Sequence, residues 1–178
     1  MKNILVAAFM AVIGFASYSC NSSTSGKITT STPTPPKVKP AEKEEVIGEK
    51  SKGTLVDFII TDKLMAIVEK AKKVKKVIFL DFYATWCAPC RLMDQSVFVD
   101  EEVANYMNQN CVNMKIDAEK GDGVALKIQF NINAYPTYIF IDGNTDEVIR
   151  KEGSLSIDDF KRFMKNGVWK VKNPAGKP

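Results

Sequence analysis

Cys87 and Cys90 stand three apart in the segment Trp86-Cys87-Ala88-Pro89-Cys90, and thiols at that spacing can form and break a disulfide. If a helix starts at about Cys87, both sulfurs lie on one face of its first turn. Unpaired backbone N–H groups and the helix dipole there favour negative charge, which lowers a thiol pKa and supplies the thiolate that attacks disulfides. Pro89 suits a first helical turn, where its missing N–H would have had no partner. A zinc half-site is the rival for Cys-x-x-Cys, but zinc needs two further ligands. The chain has no histidine, and its other cysteines are Cys20 at the end of an apolar leader and Cys111 in an apolar stretch. Redox chemistry without metal or added cofactor is therefore expected. A purely structural disulfide is disfavoured, because so short a loop constrains the unfolded chain little. The missing histidine also excludes Ser-His-Asp and Cys-His catalysis.

Asp81 is the second chemical anomaly, a carboxylate inside the apolar run Val77 to Tyr83 and six residues before Cys87. It could simply be solvated on the wetter face of the strand, but that face also carries Phe79 and Tyr83, which favours a buried, unpaired carboxylate. Such a group has a raised pKa and can accept or return a thiol proton. With no histidine available, Asp81 is the candidate base. Cys111 is expected to be an inert core thiol.

The elements that must hold these groups alternate in kind. Thr61 to Lys73 has Leu64, Ile67, Val68 and Ala71 at helical spacing, and the lysines at 72, 73, 75 and 76 complement a helix C-terminus. Val77 to Tyr83 has the length and composition of a central strand. Arg91 to Val97 can be helical, and Asp100-Glu101-Glu102 opens a further helix with an acidic first turn. Cys111 to Ile116 is a strand, Val124 to Phe130 a short helix, and Thr137 to Ile141 a strand that pairs with Glu147 to Glu152 across Asp142-Gly143-Asn144. Ser156 to Asp159 has capping-box spacing, and Phe160, Phe163 and Met164 give the closing helix an apolar face. This order predicts an α/β domain with one central mixed β-sheet flanked by helices on both faces.

Before the domain, Met-Lys-Asn and thirteen apolar residues from Ile4 to Ala16 have the pattern of an export signal and fall short of a spanning helix. Residues 1–19 are assigned as signal peptide. Ser17-Tyr18-Ser19-Cys20 resembles the lipobox of a bacterial lipoprotein, which makes Cys20 a candidate lipid attachment site; ordinary cleavage leaving a free thiol is the alternative. Residues 20–53, rich in Ser, Thr, Pro and Lys, are assigned as a linker, residues 54–168 as the domain, and residues 169–178 as a C-terminal tail. A linker of that size reaches roughly 30 Å as a coil and up to roughly 100 Å when extended. The charge of +4 from 25 basic and 21 acidic residues is spread along the chain, which argues against nucleic acid as a partner.

Asp81 to Arg91 (DFYATWCAPCR), followed by Asn133-Ala134-Tyr135-Pro136-Thr137, resembles the thioredoxin family over roughly residues 55 to 166. The resemblance implies a thioredoxin-like fold, Cys87 as attacking and Cys90 as resolving cysteine, and Asp81 as buried proton carrier. It implies substrate-binding roles for Trp86, for Pro136 as a cis-proline, and for Tyr135, whose backbone would pair with an extended substrate segment. Ala88 and Tyr83 depart from the residues usual in cytosolic thioredoxins, Gly and Trp. Tyr83, Arg91 and the run Phe98 to Val103 are closer to exported thioredoxin-like domains, including the C-terminal domain of the transmembrane thiol:disulfide interchange reductase.

These readings converge on an exported, periplasmic, lipid-anchored thiol–disulfide oxidoreductase working in the reducing direction on protein disulfides. It is expected to be monomeric, re-reduced by a membrane electron donor, and in contact with the membrane only through its N-terminal anchor. A dithiol oxidase or isomerase, and a non-catalytic binding module, are the alternatives.

Overall fold

The computed structural model describes residues 47–144 and 146–174. The signal-like segment, Cys20 and most of the linker lie outside the described residues. The elements run β1 (Glu49–Lys50), β2 (Phe58–Ile60), α1 (Leu64–Val74), β3 (Val77–Tyr83), α2 (Ala88–Ser96), α3 (Glu101–Asn110), β4 (Cys111–Asp117), α4 (Gly123–Gln129), β5 (Thr137–Ile141), β6 (Glu147–Glu152) and α5 (Ile157–Lys172). The strands form one six-stranded sheet in the order β1-β2-β4-β3-β5-β6. β4 is parallel to β2 and β3, whereas β5 and β6 continue the sheet as an antiparallel hairpin and β1 is antiparallel to β2.

Alternation along the central strands sorts side chains to two cores. Ile78, Leu80 and Phe82 of β3, with Val112, Met114 and Ile116 of β4, pack against α1 and α4. Val77 and Phe79 of β3, with Tyr138 and Phe140 of β5, pack on the other face against α2, α3 and α5. That second core is aromatic, with Phe79 centred among Phe58, Tyr138, Phe140 and Phe160. Gly167 lets α5 lie directly on it, because a Cβ there would overlap the Phe140 ring.

The helix termini follow the sequence signals. The Asp100 carboxylate accepts from the Val103 N–H at 2.9 Å to start α3, and the Ser156 hydroxyl accepts from the Asp159 N–H at 3.2 Å to start α5. α1 ends at Lys75, whose left-handed φ of 55° closes the last turn, with Lys72 and Lys73 just inside it.

Two boundaries differ from expectation. β1 lies inside the span assigned as linker (20–53), since a two-residue edge strand held by backbone pairing needs no apolar residue and leaves no compositional trace. α5 runs on to Lys172, into the span assigned as tail (169–178), because Val168 and Val171 keep packing against the aromatic core. The strand β2 was also not expected; three residues are too few to show alternation.

Candidate active site

β3 delivers the chain to the site at its C-terminal end. Cys87 is the N-cap of α2, with extended backbone at φ −68° and ψ 101°, and its Sγ accepts from the Cys90 N–H at 3.1 Å. Pro89 occupies the first turn. The two cysteines are disulfide-bonded with Cα atoms 5.3 Å apart, and both are buried with Ala84 beneath Tyr83 and Tyr135. The bond Cys87 Sγ receives from the helix terminus is the kind that stabilises a thiolate once the disulfide opens.

Trp86 stands 65% exposed beside the pair. Its Nε1 donates to Glu119 Oε2 at 2.8 Å and its ring meets Tyr135 edge-on at 5.9 Å. The Tyr135–Pro136 peptide bond is cis. Among the described residues, the Pro136 carbonyl accepts from the Gly153 N–H, while the Tyr135 backbone N–H and carbonyl make no hydrogen bond. Trp86, the disulfide and an open backbone segment are therefore contiguous.

Asp81 is 1% exposed, buried as its place in β3 implied, but it is not unpaired. Lys115, its register partner on β4, donates to Asp81 Oδ2 at 2.8 Å and to Asp94 Oδ1 of α2 at 2.5 Å. Burial pushes the Asp81 carboxyl above the usual range; the Lys115 ammonium opposes the shift and the Asp94 carboxylate adds to it. Burial also works against the Lys115 charge, yet the two carboxylates outweigh it and hold the amine above its ordinary value. One ammonium thus serves two carboxylates, and burial makes the deeper one the harder to ionise.

Lys115, Asp94 and Glu119 were missed in the sequence. Lys115 had a signal, since strand alternation from Cys111 puts it on the face opposite Val112, Met114 and Ile116. Its pairing with Asp81 had none, because parallel register is not encoded locally.

Cys111 pairs with Val77 at the far end of the β3–β4 ladder from Tyr83 and the disulfide, about 20 Å of strand away. It cannot join the pair as a ligand or a third redox thiol. Burial pushes its pKa up to about 12. Among the described residues no group of three or more metal-ligating side chains gathers, and no helix is long and apolar enough to cross a membrane.

The family model described as Thioredoxin matches residues 61–166. The chain belongs to the thioredoxin family. A solved structure described as a putative disulphide-isomerase from Bacteroides thetaiotaomicron is 33% identical, with a TM-score of 0.59 over 66% of this chain and 97% of that one. A thioredoxin-like protein, CITRX, of Oryza sativa subsp. indica is 31% identical over 113 residues, 63% of this chain and 56% of its own length. The thiol:disulfide interchange protein DsbD of Campylobacter jejuni (strain RM1221) is 36% identical over 86 residues, 47% of this chain and 15% of its own. The chain thus spans little more than half of the first of these curated thioredoxin relatives and a small part of the second.

Proposed function

We propose that this chain is a thiol–disulfide oxidoreductase that reduces disulfides in proteins outside the cytoplasm. The observation that carries the reading is the disulfide Cys87–Cys90 at the N-terminus of α2, beside exposed Trp86 and the open backbone of Tyr135. In the reduced enzyme, Cys87 thiolate attacks a substrate disulfide, forming a mixed disulfide and releasing one substrate thiolate. Cys90 gives its proton to Asp81, and its thiolate attacks Cys87 Sγ. The second substrate thiolate leaves and takes the proton from Asp81. The substrate gains two electrons, and the enzyme ends as the disulfide.

Export is supported by the signal pattern in residues 1–19 and by the likeness to DsbD, an interchange protein by name. Cys20 as lipid anchor would keep the monomeric domain within linker reach of a membrane dithiol donor, which must return the two electrons. The substrates are proteins with accessible disulfides; neither nucleic acid nor a bound cofactor takes part.

A Cys90→Ser variant expressed in cells tests the reading, since Cys87 should then accumulate mixed disulfides whose identities name substrate and donor. Absence of any trapped species would sink it in favour of a binding module. Equilibration with glutathione fixes the direction. A potential near the reducing end of the family range, about −270 mV, is expected, and one near about −120 mV would assign the oxidising role. Intact mass of the mature N-terminus tests Cys20, where a diacylglyceryl mass is expected.

A further inference from the structure

Tyr138, the second residue of β5, is fully buried among Phe79, Phe98 and Phe160. Its hydroxyl has no hydrogen-bond partner among the described residues. A buried hydroxyl left unsatisfied is destabilising, so a phenylalanine would fill this aromatic core at lower cost. A second unpartnered atom lies across the ladder. Tyr138 is the register partner of Asp81 in the antiparallel β3–β5 pair, and directly opposite residues project from the same face with Cβ atoms about 5 Å apart. Lys115 occupies Asp81 Oδ2 alone, leaving Asp81 Oδ1 buried without a partner.

Three neighbouring strands therefore present one row, Lys115–Asp81–Tyr138, with Asp94 of α2 packed over it. One orphan is a donor and the other an acceptor, which is the pairing that a buried water bridges. We propose that Tyr138 is a positioning residue for proton transfer at Asp81, its hydroxyl joined to Asp81 Oδ1 through one buried water so that the ionised carboxylate is favoured. The inference rests on the reading that Asp81 serves the Cys87–Cys90 pair.

The link acts within a defined set of charges. Lys115 faces Asp81 from β4, Asp94 from α2, and Tyr83 from its own strand; α3 and α5 present apolar residues to this face. Burial and the Asp81 and Asp94 carboxylates push the Tyr138 phenol far above its ordinary value, so it stays protonated and serves as a donor. Its hydrogen bond offsets part of what burial does to Asp81. Without it, Asp81 keeps its proton to higher pH and accepts less readily from Cys90.

The test is a carboxyl carbon NMR titration of Asp81 in the oxidised full chain, wild type against Tyr138→Phe, which removes one oxygen atom. The Asp81 midpoint is expected to rise by about 1 pH unit, the size of a lost hydrogen bond to a charged group. The pH profile of disulfide reduction should move the same way with KM unchanged, and Tyr138→Phe should have no effect on that profile in an Asp81→Asn background. An unmoved or lowered midpoint overturns the proposal, as does a profile shift that survives Asp81→Asn. The titration reads Asp81 without turnover. A shifted midpoint in a chain lacking reductase activity would refute the functional reading alone, and an unshifted one in an active reductase would refute this inference alone.

Discussion

Lys115 bonds Asp81 at 2.8 Å across adjacent parallel strands, and both side chains are almost completely buried. The same ammonium bonds Asp94, so the Asp81 proton affinity is set by burial, one cation and a second carboxylate together. Replacing Lys115 by methionine removes the cation and leaves a side chain of similar length. The Asp81 carboxyl must then rise further, and less of it can accept the Cys90 proton at neutral pH. Lys115→Met is expected to slow disulfide reduction at pH 7 about tenfold for each pH unit by which Asp81 is displaced, with the rate recovering in alkali. A rate that drops equally at all pH values would show that Lys115 acts through packing.

Asp81→Asn separates stability from chemistry. A carboxyl with a raised folded pKa binds its proton more tightly in the native state. Its contribution to stability is therefore most favourable below the unfolded value and declines as pH climbs through the folded one. At neutral pH the native carboxyl is a net cost, and Lys115 retains Asp94 as partner when Asp81 is replaced. Asp81→Asn should raise the denaturant midpoint at pH 7, with the gain vanishing below about pH 4, while disulfide reduction falls roughly 10²–10⁴-fold. Denaturation at the two pH values, paired with a rate measurement, checks both halves.

β3 and β5 were legible because their apolar runs are bounded by charges and turns, and β6 because a turn pairs it with β5; all three begin and end where the sequence places them. Asp81 could be assigned to a buried face from alternation alone. Its partners could not be found that way, because Lys115 and Tyr138 meet it through inter-strand register, which depends on how the 33 and 56 intervening residues fold. Glu119 escaped for a similar reason, since an exposed acidic residue in a loop gives no sign that it will meet an indole. Local chemistry at Cys87 was readable because it depends only on the first turn of α2.

Cys111 supplies a control for the reactive pair. It is 3% exposed at the opposite end of the sheet, and burial pushes its thiol up to about 12. Cys87 is buried as well, so the difference lies in the thiolate, which Cys111 lacks at neutral pH and the α2 terminus favours at Cys87. In the reduced native protein at pH 8, iodoacetamide is expected to label Cys87 rapidly and to leave Cys111 unmodified until denaturant is added. Peptide mass mapping reads the order, and early labelling of Cys111 would reopen a third redox role.

Trp86 tests where the protein substrate lies. Its ring is held on one side by Glu119 and on the other by Tyr135, yet most of it faces solvent. A side chain that exposed contributes little to folding, so Trp86→Ala should change stability by no more than about 0.5 kcal/mol. Against a partner it offers a large, pre-oriented apolar surface beside Cys87, and losing an aromatic contact of this kind costs about 0.5–1.5 kcal/mol beyond the buried area. KM for a protein disulfide is therefore expected to rise roughly tenfold, while a small disulfide such as oxidised glutathione, which does not span the Trp86–Tyr135 surface, is exchanged at an unchanged rate. Glu119→Ala should show a smaller increase of the same kind, because it frees the indole without removing it. Equal losses on large and small disulfides would place Trp86 in the chemistry at Cys87 and not in recognition.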